Sequence, residues 1–160
     1  MKLSLSITNQ VELEPQERDD MKLAGLLHDV GKIGIRTETL RKEEPLTDEE
    51  RREIQQHPEV GAKIIGTVGH LYRIHPLILY HHERFDSSGY PSRLKGEEIP
   101  LGARIIAVAD AFDAMTNSRP YRPAKSPQEA EAEMRRESGV QFDTGVVESF
   151  FRTRSVSGEQ

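Results

Sequence analysis

Apolar residues in this chain recur every three to four positions, and no segment alternates convincingly with period two. Leu23, Leu26, Leu27 and Val30 form one such stripe, and Leu101, Ile105, Val108, Phe112 and Met115 form a longer one. That spacing places side chains on a single face of an α-helix, whereas a half-buried strand needs strict alternation. Local punctuation agrees. Pro15 suits a first helical turn, Thr47 with Glu50 and Ser126 with Glu129 have the spacing of capping boxes, and Gly31 and Gly139 stand where helices stop. Pro58 disfavours helical geometry at His57, so a new helix is expected from there to about Gly66, and Pro76 opens another that ends near His82. Asp143 is expected to cap a final helix carrying Val146, Val147, Phe150 and Phe151. The segment IGIRTETLRKEEPL reads as a connector, and the Gly-, Ser- and charge-rich stretch from Phe85 to Glu98 as a loop of functional length. The expected fold is therefore all-α.

At 160 residues the chain suits one domain with a real core. No run of eighteen apolar residues is present, so no membrane segment is expected, and the N-terminus lacks a signal-peptide cleavage pattern. The default location is cytoplasmic. With zero cysteines, any metal must be held by imidazole and carboxylate. The formal net charge of −5 argues against a nucleic-acid polymer as partner, so charge that attracts phosphate has to be local.

Residues able to bind metal occur in four blocks: His28-Asp29, His57, His81-His82 and Asp110. Each has an ordinary reading as a hydrogen-bonded core or helix-end residue, and together they fit the shell of one centre. Neighbours on a helix diverge by roughly 100°. His28 and Asp29 therefore reach the same region only from a helix end, or by serving two cations that share the Asp carboxylate. His57 falls at a helix junction. Two adjacent imidazoles, His81 and His82, would repel if protonated, which a metal relieves. Asp110 interrupts the apolar run AVADAFDA, where a buried carboxylate needs a partner or a cation, and Asp113 one turn on is expected to brace it. Lys32 lies one turn past the His-Asp pair. Arg119 and Arg122, stiffened by Pro120 and Pro123, suit bidentate contact with phosphate.

The motifs HD-x-G-K, HPE-x-G, HHER-x-D-x-S-GYP, KGEEIPL-x-ARI, ADAFDA-x-T and QFD occur in order from about Glu14 to Phe151. As a set they closely resemble the HD-GYP family of metal-dependent phosphohydrolases. The resemblance implies an HD-domain bundle of about six to seven helices. It also implies a phosphodiesterase that hydrolyses cyclic di-GMP to pGpG and GMP in bacterial second-messenger signalling. By this resemblance His28, Asp29, His57, His81, His82 and Asp110 are metal ligands, with Asp29 the bridge. Asp29 and Lys32 are the catalytic residues, and Lys32, Tyr90, Arg119 and Arg122 contact substrate. The cofactors implied are two or three divalent ions, iron or manganese. The partners implied are cyclic di-GMP, an upstream sensory or receiver domain, and a second copy in a homodimer. The family pattern also takes a His, and in three-metal members a Glu, from a helix upstream of the HD helix. Here about thirteen residues precede that helix and none is His. Residues 1–152 are thus expected to be a single output domain, N-terminally truncated relative to the family, with 153–160 a flexible tail. The alternative is a non-catalytic module that binds a cyclic dinucleotide or a protein through an incomplete metal site.

Overall fold

The protein, described here by a computed structural model covering residues 14–118 and 123–157, is all-α. Its α-helices are α1 (Pro15–Leu27), α2 (Thr37–Arg41), α3 (Asp48–Gln55), α4 (His57–Gly66), α5 (His75–Leu79), α6 (Leu101–Thr116), α7 (Pro127–Arg136) and α8 (Thr144–Ser157). Short 3₁₀ turns at Val30–Gly34, Gly69–Ile74 and Gly96–Glu98 join them. No strand forms among the described residues, where extended pairing is confined to isolated bridges such as Asp86 with Lys95.

Both expected capping boxes form. Thr47 Oγ1 accepts from the Glu50 amide at 3.2 Å while the Glu50 carboxylate accepts from the Thr47 amide at 2.8 Å, and Ser126 and Glu129 repeat the exchange. At the start of α8 the Asp143 carboxylate accepts from the Val146 amide at 3.1 Å. Asp143 also pairs with Arg104 Nη1 at 2.5 Å, which ties this cap to α6.

Helix α6 is the axis of the bundle. Ala103, Ile105, Ile106, Val108, Ala109, Phe112 and Met115 are all buried, so it is apolar around most of its circumference, as a core helix should be. It packs against α5, α7 and α8. From α8, Phe150 and Phe151 meet Phe112 edge-on at 5.1 and 6.0 Å between ring centroids. Burial of each such ring is worth about 2–3 kcal/mol relative to exposure.

Three local expectations need correction. The connector after the HD motif contains a helix, α2, because long-range contacts hold it: Arg36 and Thr39 both donate to the Glu53 carboxylate of α3. Helix α5 stops at Leu79, so His81 and His82 lie on the turn beyond it. The chain from Thr153, expected as a tail, continues α8 through Ser157, and the Arg154 guanidinium sits 4.5 Å from the centroid of Phe112. Residues 158–160 lie outside the described residues.

Candidate metal centre

The HD motif straddles a break between helices. Helix α1 ends at Leu27, His28 caps it in helical geometry, and Asp29 turns out of it at φ −94°, ψ 4° before the Val30–Gly34 turn begins. This break lets two consecutive side chains face one region, which an unbroken helix forbids. Gly31 then brings the turn against α4. A Cβ at Gly31 would stand 1.9 Å from the His57 carbonyl oxygen and 2.5 Å from the Gly61 amide nitrogen. Gly31 was expected as a helix stop; its φ is not positive, and its role is this close approach.

Three of the histidines, His28, His57 and His81, are held alike. The Nδ1–H of His28 donates to the Gly25 carbonyl at 2.8 Å, that of His57 to Ile54 at 2.7 Å and that of His81 to Ile78 at 2.7 Å. A carbonyl only accepts, so each neutral ring carries its proton on Nδ1 and presents a bare lone pair on Nε2. Those lone pairs converge. His57 Nε2 lies 3.3 Å from His81 Nε2, two acceptors face to face, and both residues are 1 % exposed. His82 stands against His81 with ring centroids 4.1 Å apart, and ligand nitrogens of His57, His81 and His82 all lie within 4.8 Å of one another. His28 Nε2 is buried without a hydrogen-bond partner among the described residues.

Asp29 faces two groups at once. Its Oδ1 lies 3.4 Å from His57 Nε2 and its Oδ2 3.5 Å from His28 Nε2, while Lys32 Nζ pairs with Oδ2 at 2.7 Å. Asp110 reaches the second group from α6, with Oδ1 3.8 Å from His28 Nε2, an ion-pair distance rather than a hydrogen bond. Asp113, expected to brace it, is exposed, and its backbone carbonyl instead accepts from Asn117 at the end of α6.

Burial drives the His81 pKa down to about 2 and that of His82 to about 4, each reinforced by neighbouring imidazoles, and lowers His57 as well. These rings are neutral at pH 7, the form that ligates metal. At His28 burial pulls downward, but the carboxylates of Asp110 and Asp29 and the Gly25 carbonyl outweigh it and the pKa is raised. Burial would raise Asp110, yet His28 beside it holds the carboxyl at about 2. Buried neutral imidazoles with unshared lone pairs, set beside ionised carboxylates, form the donor set of a divalent-cation site.

The GYP loop closes one side. Tyr90 stacks on His82 with centroids 5.1 Å apart, and burial, with Asp110 and Asp29 nearby, raises its pKa. Arg119 and Arg122 lie outside the described residues. A residue that sequence reasoning passed over holds this loop: Glu83, 4 % exposed, accepts from the amides of Ser92 at 2.6 Å and Leu94 at 3.2 Å. Its position directly after the His81-His82 doublet was the available signal. Replacing Glu83 by Ala strands two amides, so we expect a loss of about 2–4 kcal/mol, or roughly 6–12 °C in Tm. Thermal unfolding checks this, and a variant within 1–2 °C of wild type (about 0.5 kcal/mol) would contradict it.

Residues 1–146 match the HD domain family. The chain is 44% identical over 131 residues to the cyclic di-GMP phosphodiesterase of Vibrio cholerae serotype O1, an alignment covering 78% of this chain and 27% of that protein. It is 40% identical over 151 residues to the cyclic di-GMP phosphodiesterase response regulator RpfG of Xanthomonas campestris pv. campestris, covering 93% of this chain and 40% of the relative. Its fold is similar to that of Bd1817, an HD-GYP protein from Bdellovibrio bacteriovorus, with TM-score 0.77 at 17% identity over 96% of this chain and 49% of that one. The chain thus spans between about a quarter and a half of the length of the proteins it matches.

Proposed function

The chain belongs to the HD domain family, and from that premise we propose that it is a metal-dependent phosphodiesterase of the HD-GYP type, hydrolysing cyclic di-GMP to linear pGpG and then to GMP. In this reading His57, His81 and His82 would hold one divalent cation, His28 and Asp110 would hold a second, and Asp29 would serve both. The observation that carries it is the split carboxylate of Asp29, one oxygen toward His57 and the other toward His28. Two ions fit that arrangement. Iron and manganese both accept imidazole and carboxylate, and the shell favours neither. When bound, the cations lower the pKa of water and neutralise negative charge at phosphorus.

The chain's own groups position the reaction. Lys32 Nζ, already at the Asp29 carboxylate, is within reach of a non-bridging phosphoryl oxygen there, and a fixed cation stabilises charge that builds on that oxygen. Arg119 and Arg122 follow α6 in sequence and would add a guanidinium clamp. Tyr90 walls the centre on the His82 side and limits access of bulk water. Net hydrolysis adds the oxygen of water to phosphorus and breaks the bond from phosphorus to a ribose 3′ oxygen. A proton goes to that leaving oxygen, and a 5′-phosphate remains.

Incubation of anaerobically metal-loaded protein with cyclic di-GMP tests the proposal. Conversion to pGpG, followed by chromatography, is the expected result. Binding without product would instead assign the chain to the non-catalytic class.

A further inference from the structure

Next to the metal centre lies a second, polar cavity of about 450 Å³, lined by Gln55, Ser87, Ser88, Tyr90, Pro91 and Arg93. Tyr90 belongs to both, one of its faces being stacked on His82. The loop is unusual at this cavity. Ser87 (φ 71°) and Arg93 (φ 57°) both adopt left-handed backbone geometry that side chains other than glycine avoid, and both line the pocket. Strain of this kind persists where the surrounding structure imposes it, and it gathers at ligand sites. The lining is also under-used. Ser88 Oγ is committed to Asp86 and Arg84, but the Gln55 amide, the Ser87 hydroxyl and the Arg93 guanidinium make no hydrogen bond or ion pair among the described residues.

Resting on the phosphodiesterase reading, we propose that this cavity is the nucleobase subsite and that Arg93 selects guanine in it. A cavity of this volume suits one nucleoside of a cyclic dinucleotide. The guanidinium offers parallel N–H donors, and guanine presents two adjacent acceptors, O6 and N7, that match them. Adenine places its N6 amino donor where guanine has O6, so the same guanidinium meets a donor. Gln55 and Ser87, each able to donate and to accept, satisfy the remaining polar edge of the base. Tyr90 and Pro91 supply the flat wall.

Arg93→Gly is the informative substitution, because glycine adopts φ 57° freely and the folded state is kept. The test is steady-state kinetics of metal-loaded wild type and Arg93→Gly on cyclic di-GMP, cyclic di-AMP and bis(p-nitrophenyl) phosphate. Alongside it, calorimetric dissociation constants are measured for the two cyclic dinucleotides with metal chelated. We expect kcat/KM for cyclic di-GMP to fall about tenfold or more, mainly through KM, with less than about threefold change for cyclic di-AMP. The dissociation constants should shift in the same proportion. Equal losses on both dinucleotides would make Arg93 a phosphate contact, and no loss on cyclic di-GMP would make it a bystander; either result overturns the proposal. If wild type hydrolyses no substrate at all, the phosphodiesterase reading fails, and the calorimetric selectivity still decides the role of Arg93.

Discussion

Asp29→Ala is expected to remove metal and turnover together while leaving the protein folded. Among the described residues it is the carboxylate that pairs with both His57 and His28, so its loss separates the two halves of the shell as well as removing two oxygen donors. Metal content should drop below one ion per chain, and hydrolysis of cyclic di-GMP should fall by roughly three orders of magnitude or more. The side chain is 38% exposed and its main contact is the accessible Lys32 ammonium, so Tm in the absence of metal should move by only a few degrees (about 1 kcal/mol). Elemental analysis, a product assay and thermal unfolding of the same preparation check all three. An Asp29→Ala protein that turns over at the wild-type rate would refute the bridging role.

Gly31→Ala is expected to be the most damaging single methyl group in the described structure around the site. The added carbon would sit 1.9 Å from the His57 carbonyl oxygen and 2.5 Å from the Gly61 nitrogen. Both are backbone atoms that cannot rotate away. Either α4 withdraws from the HD turn or the turn unwinds, and both movements pull His57 away from Asp29. A cost above about 3 kcal/mol follows, roughly 10 °C in Tm, with loss of metal binding. Gly34→Ala is the matched control in the same turn. Its Cβ would meet only the Val60 side chain, Cγ1 at 3.4 Å and Cγ2 at 3.9 Å, ordinary contact, and the change should stay within about 1 kcal/mol. Equal stability of the two variants, measured by denaturant unfolding, would show that the close approach at Gly31 does not matter.

Legibility in the sequence tracked the range of the interaction that determines each feature. Caps depend on residues three apart, so Thr47 with Glu50, Ser126 with Glu129 and the Asp143 cap could be read directly. The stripe of α6 was equally plain, because Ile105, Val108, Phe112 and Met115 are buried at helical spacing. Helix α2 was missed because what holds it, Glu53, lies outside the segment. The ligand candidates could be picked by residue type, and the structure brings His28, Asp29, His57, His81, His82 and Asp110 together. Their proton positions could not be read, since the Nδ1 partners are backbone carbonyls that exist only once each helix has ended where it does. Gly31 looked like punctuation because a sequence records the absence of a side chain but not which backbone fills the space. Glu83 was passed over, because the amides it receives belong to a loop nine and eleven residues on.

The central claim is that these six residues form one centre for two cations. Metal per chain decides it most directly, measured after anaerobic loading with Mn²⁺ and desalting, with the electron paramagnetic resonance spectrum of the same sample. Two manganese ions per chain with a spin-coupled spectrum is the result this account requires. Retention of no manganese, or of one ion with an isolated-ion spectrum, would contradict it.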